Sequence, residues 1–147
     1  MTSHRLVLLT LGFALGCAST PAGSAPQTMP AAAGGALARI YYWKARPGQF
    51  DAYDRYIRDV AEPIDHEAQR QGAFVAVTTF VSRDTASAWT HMRVFVLRDS
   101  AQLAGLGAAL DAAGMRLEPD SARRRARSEY GATLRDRVGD ATVEILR

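Results

Sequence analysis

One cysteine, one lysine and no asparagine stand out in this chain of 147 residues. A single cysteine excludes a disulfide framework and a thiolate metal cluster, because both need several sulfurs. Long hydrophobic runs are scarce too. The apolar stretch Leu6–Gly16 falls far short of the ~20 residues that a membrane-crossing helix requires. Charge of one sign is nearly lacking: 18 Lys+Arg face 15 Asp+Glu, so the formal +3 is no nucleic-acid signature and no nucleic-acid partner is expected. The sequence holds no G-x-S-x-G, S-x-x-K, P-loop or G-x-G-x-x-G pattern, and Gly105-Leu-Gly107 lacks the third glycine. What is present, 48% hydrophobic and 22% charged residues, is the composition of one globular domain.

The first 17 residues have a short basic start, an apolar stretch and a small residue before Cys17, the composition of a secretory signal peptide. Phe13-Ala-Leu-Gly-Cys17 resembles the bacterial lipobox, with Ala14 where leucine is commonest and Leu15 where a small residue is commonest. The resemblance implies cleavage before Cys17 and a diacylglycerol on its thiol, a palmitate-type anchor to the membrane. The other reading is an ordinary signal with an incidental cysteine. A cysteine used once, and here, favours the anchor. Ala18 and Ser19 lack the aspartate that retains enteric-type lipoproteins at the inner membrane, so a periplasm-facing site on the outer membrane is preferred. Residues 18–36 carry no charge and three of the six prolines, and with Cys17 they read as a tether spanning roughly 24 Å. The domains are then 1–16, signal; 17–36, anchored tether; 37–147, folded domain.

Leu37–Arg46 is β-branched and aromatic at its centre and stops at Pro47-Gly48, which predicts a strand. Phe50, Tyr53, Ile57, Val60 and Ile64 then recur every three or four residues as the apolar stripe of a helix. Pro63 should kink that helix or restart it near Glu62, and Gln71-Gly72 should end it. Ala73–Ser82 and Trp89–Arg98 predict a hairpin. Asp99-Ser100 predicts the cap of a helix over 101–113 that stops at Gly114; Pro119-Asp120-Ser121 opens another reaching about Val138. Gly139-Asp140 is expected to turn the chain into a last strand, Ala141–Leu146. The fold class is therefore α+β, a ferredoxin-like βαββαβ arrangement with an extra C-terminal helix, its four-stranded antiparallel sheet covered by helices on one face.

Ile40–Tyr53, a strand, a Pro-Gly turn and the start of an amphipathic helix, resembles the opening of the dimeric α/β-barrel superfamily, which includes antibiotic-biosynthesis-type monooxygenases and NIPSNAP-like proteins. The resemblance implies a homodimer whose two sheets pack face to face. Monooxygenase-type relatives act without a bound metal by using Asn, Trp, His or Arg. With no asparagine here, no mechanism that depends on one carries over, and no catalytic residue is transferred.

Alternation along β-strand Trp89–Leu97 puts Trp89, His91, Arg93, Phe95 and Leu97 on one face, expected to line the barrel. His91 is a candidate general base or haem ligand, and Arg93 a candidate partner for a carboxylate or enolate oxygen. The other reading, favoured because such pairs are frequent, is that both are satisfied structural groups near a dimer interface. Tyr42 and Lys44 share a face of the first strand and complete the candidate ligand-binding set of Tyr42, Lys44, Trp89, His91, Arg93 and Phe95. Glu62 and His66 stand four apart, yet zinc needs three or four converging ligands, so no metal and no cofactor is expected. Asp65 and Glu67 beside them read as solvated. Arg123-Arg124-Arg125-Ala126-Arg127 reads as a solvated helix face, with contact to anionic lipid as the alternative. Three functions follow: a lipid-anchored envelope protein binding a small apolar or aromatic molecule in a dimeric barrel, a cofactor-independent monooxygenase-type enzyme using His91 and Arg93, or a structural protein at the membrane.

Overall fold

A computed structural model describes residues 35–146. Cys17 and the proposed tether up to residue 34 lie outside the described residues. The domain is α+β, with a four-stranded antiparallel sheet in the order β2-β3-β1-β4. β1, Leu37–Ala45, is central, between β3, His91–Leu97, and β4, Arg135–Glu144; β2, Ala76–Val81, lies at one edge. Register places Tyr41 beside Arg93 and Trp43 beside His91. Among the described residues no helix is long and apolar enough to cross a membrane.

β1 ends in a turn where Gln49 N–H donates to the Arg46 carbonyl, and Gly48 takes a positive φ of 74° that a side chain would disfavour. The helix that follows is one rod in three parts: α1, Phe50–Tyr56; a π turn, Ile57–Ala61; and α2, Glu62–Arg70. Pro63 explains the middle part. It has no N–H to give the Asp59 carbonyl and its ring would collide with that group in a regular α-turn, so the backbone widens by one residue. The restart at Glu62 is where the proline predicts it. The face is not. A straight helix would carry the stripe from Ile57 to Ile64, whereas the extra residue brings Asp65 and then Ala68 to the buried positions, 3% and 0% exposed. α2 closes with a Schellman motif, Gly72 N–H on the Gln69 carbonyl and Ala73 N–H on that of Ala68.

Asp99 and Asp120 cap the remaining helices through side-chain bonds to Gln102 N–H and to Ala122 and Arg123 N–H. α3, Ser100–Leu117, does not stop at Gly114: it runs on until Glu118, which must be extended because Pro119 follows. α4, Ser121–Leu134, is shorter than the stripe to Val138 predicts, and β4 begins at once with Arg135 rather than at Ala141. The cause is the ladder to β1, which pairs Arg135 with Ala45 and Arg137 with Trp43. Gly139 is no turn but a strand residue beneath the Tyr42 ring, and a bulge at Val138 absorbs the register shift.

The helices cover one face of the sheet. Phe95, Leu97, Leu106, Ala113, Ala68 and Phe74 form one core; Ala45, Tyr53, Ile57 and Leu134 form a second beside Trp43 and Phe50. The other face carries Ile40 and Tyr42, Thr78 and Phe80, Met92 and Val94, with Phe80 46% exposed. No described element packs on it.

Candidate functional site

β3 is buried at every second residue, and His91, Arg93, Phe95 and Leu97 are the buried set. This is the helix-covered face, not the open one, so the expectation that His91, Arg93 and Phe95 line a space between two sheets is corrected. Trp89 leaves the set altogether: it precedes β3 and its ring lies 6.4 Å from Tyr42 on the open face. Lys44 is also on that face, and its ammonium donates to the Ser87 carbonyl and, at 3.4 Å, to that of Thr85, which ties β1 to the hairpin loop. The six candidates therefore divide into Tyr42, Lys44 and Trp89 on one side of the sheet and His91, Arg93 and Phe95 on the other.

His91 is fully buried among aromatic rings, Tyr53 edge-on at 4.5 Å and Phe50 at 5.0 Å. Its Nδ1 lies 2.9 Å from Thr90 Oγ1, which also accepts from Ala45 N–H at 2.7 Å. Nε2 has no hydrogen-bond partner among the described residues and stands 3.9 Å from Asp54 Oδ1. Burial holds the imidazole below its ordinary 6.5; Asp54 acts against this, while Arg83 and Arg135 reinforce it. The unfolded chain therefore takes up a proton before the folded one as pH falls, and stability contributed by neutral His91 is complete above 6.5 and lost below it. Urea midpoints at pH 8 and pH 5 check this: the wild type should lose more stability between them than His91→Phe.

Two residues along β3, Arg93 is 6% exposed and ion-paired with Asp65, the residue that the π turn rotates inward. Among the described residues Arg93 Nε and Nη2 and Asp65 Oδ2 have no hydrogen-bond partner. Burial pulls the guanidinium down to about 10, with Tyr53 and Glu62 acting the other way. The pair lies where two clefts meet. One, of about 690 Å³, opens between α2, α3 and α4 and is walled by Pro63, Ile64, Leu110 and Met115, with Arg124 and Arg127 among its lining. The other, of about 640 Å³, lies toward β4 and is walled by Tyr41, Trp43, Phe95, Arg135 and Arg137. Asp65, Arg93, Leu110 and Asp111 line both; His91 lines neither.

The β4 side alternates guanidinium groups with rings. The Arg135 guanidinium carbon is 5.1 Å from the centroids of Trp43 and Tyr53, that of Arg137 is 5.1 Å from Tyr41, and that of Arg93 is 5.5 Å from Phe95. Arg137 also pairs with Asp140 at 2.6 Å, whereas Arg135 makes no ion pair among the described residues. Asp65, Arg135, Arg137 and Tyr41 are thus site residues that sequence reasoning missed. The one available signal was Pro63 in mid-stripe, which marks a register slip.

Glu62 is half-buried and His66 exposed, and among the described residues no group of three or more His, Cys, Asp or Glu is placed to hold a metal ion. In the basic run, Arg123 pairs with Asp120, Arg124 donates to the Glu118 and Pro119 carbonyls, and Arg127 pairs with Glu118. Most of that run serves the loop between α3 and α4.

No family model matches the sequence, and no curated protein matches it. A solved structure, the crystal structure of HapK from Hahella chejuensis, is similar to the chain at 15% identity, covering 75% of this chain and 92% of that one with a TM-score of 0.47.

Proposed function

We propose that this chain is a lipid-anchored envelope protein that binds a small, largely apolar or aromatic molecule, and that the molecule sits between sheet and helices over Arg93. The observation that carries the reading is a buried arginine, its Nε without a hydrogen-bond partner among the described residues, at the meeting of two clefts of about 690 and 640 Å³. Small-molecule sites are concave, mostly apolar, ~300–1,000 Å³ in volume and carry a few fixed polar groups. Both clefts fall in that volume range; the larger is mostly apolar, and the one toward β4 is evenly polar and apolar. Leu110, which lines both, is the residue to test. A neutral bicyclic probe, 2-naphthamide, should bind the wild type, as read by calorimetry, and Leu110→Trp should reduce that binding tenfold or more by filling the space. A wild type that ignores the probe, or a variant that binds it equally well, overturns the reading.

In this proposal the order β2-β3-β1-β4 is that of the split βαββαβ, ferredoxin-like arrangement, and the open sheet face packs against the same face of a second copy. Exposed apolar Phe80 and half-buried Ile40, Tyr42 and Val94 support it, since an apolar sheet face left in water is unfavourable. The ligand then lies on the helix side of each sheet, not inside the barrel. Sedimentation of the full chain should give a dimer, and Phe80→Arg should give a monomer. The anchor on Cys17 is tested separately: Cys17→Ser should move the protein from the membrane fraction to the soluble one, and an unchanged distribution would sink the lipobox reading.

A further inference from the structure

The geometry points to an acid as the occupant of this site: we infer that the molecule over Arg93 carries a carboxylate or comparable single oxyanion on an aromatic body. This rests on the cleft reading above and names the ligand's chemistry. Arg93 offers five N–H donors in a planar fork. Asp65 is ion-paired with Nη2, but among the described residues neither Nη2 nor Nε, both buried, has a hydrogen-bond partner. A buried donor with nothing to bond is unfavourable, and a carboxylate on the free edge of the fork would satisfy it with a charge-assisted bond. The surroundings suit a negative group. Arg135 and Arg137 stand on the β4 side of the same cleft, and Arg135, set over the Trp43 and Tyr53 rings, makes no ion pair among the described residues. Three guanidinium groups and the two carboxylates of Asp65 and Asp111 line that cleft, and Arg137 is already paired with Asp140. The aromatic body has its place as well, because Trp43, Tyr41 and Phe95 wall that cleft and Leu110 leads into the apolar one beyond.

Asp65 is then more than a counter-ion. With no ligand it holds the Arg93 charge in a buried position, and a ligand carboxylate would share the fork with it or compete for it. Removing the Asp65 charge should therefore raise the preference for an anion over a neutral molecule of the same shape.

The test compares 2-naphthoate with 2-naphthamide, which share rings and shape and differ in charge, on the full chain by calorimetry. Wild type should bind naphthoate about tenfold tighter or more than naphthamide, the scale of one good charge-assisted interaction. Arg135→Gln/Arg137→Gln should cut the preference for naphthoate over naphthamide about tenfold, whatever it does to the binding that the two probes share. Asp65→Asn should raise that preference. Because that variant strands the Arg93 charge and its folding is at risk, the arginine double variant carries the test without it. Equal affinities for the two probes in the wild type overturn the acid and leave the cleft reading standing. A preference for naphthoate that is indifferent to both arginines also overturns it, and a wild type that binds neither probe removes both readings.

Discussion

Replacing Asp65 by leucine should cost about 3–5 kcal/mol of unfolding free energy, and so should replacing Arg93 by methionine, whereas the two changes together should return the protein close to wild type. The reason is the depth of the pair. The Arg93 and Asp65 side chains are 8% and 4% exposed, so each charge has given up most of its hydration and relies on the other. Removing one partner leaves a buried charge with nothing to balance it. Removing both leaves an apolar site of similar volume, which can be neutral or stabilising. Against a total stability of about 5–15 kcal/mol for a domain, either single change leaves a marginal protein. Urea denaturation of the four proteins in the cycle gives the coupling directly, and single variants that differ from wild type by less than about 1 kcal/mol would show that the pair is hydrated.

That pair also explains why the site was only half legible in the sequence. β3 announced Arg93, since alternation along a strand says which residues share a face. Which face meets the helices depends on packing across the sheet, and no local pattern contains it. Asp65 was hidden for a different reason. A 3.6-residue period carried straight through Tyr53, Ile57 and Ile64 leaves Asp65 in solvent, and the widened turn before Pro63 moves it by one position onto the sheet. The last strand was hidden by a competing period. Ala126, Tyr130, Leu134 and Val138 at intervals of four imitate a helix face, while Arg135, Asp136 and Arg137, all charged, have no apolar alternation to mark a strand. The ladder to β1 decided for the strand, and it placed both arginines against rings. The N-caps of α3 and α4 were legible. Asp99 and Asp120 do locally what their positions predict, because a cap is made within four residues.

Tyr53→Ala should be the most damaging change in the second core, about 3–5 kcal/mol, with Tyr53→Phe within ~1 kcal/mol of wild type. Tyr53 is 1% exposed and faces His91 edge-on at 4.5 Å, stacks with Tyr56 at 6.4 Å and carries the Arg135 guanidinium over its ring. Truncation to alanine therefore removes a large buried volume and leaves a cavity beside an imidazole whose Nε2 has no hydrogen-bond partner among the described residues. The hydroxyl contributes little by comparison. Burial pushes its pKa to about 12, so it stays neutral at physiological pH, and phenylalanine keeps the ring contacts. Ring contacts and site are linked through Arg135, which rests on Trp43 and Tyr53 together. Losing one of those rings frees Arg135, so Tyr53→Ala should loosen the cleft as well as the core, and Tyr53→Leu, which refills much of the volume, should restore stability more than it restores the position of Arg135. Thermal unfolding of the three variants, set beside naphthoate affinity, separates these effects: if stability and affinity recover in step through the series, Tyr53 serves the core alone.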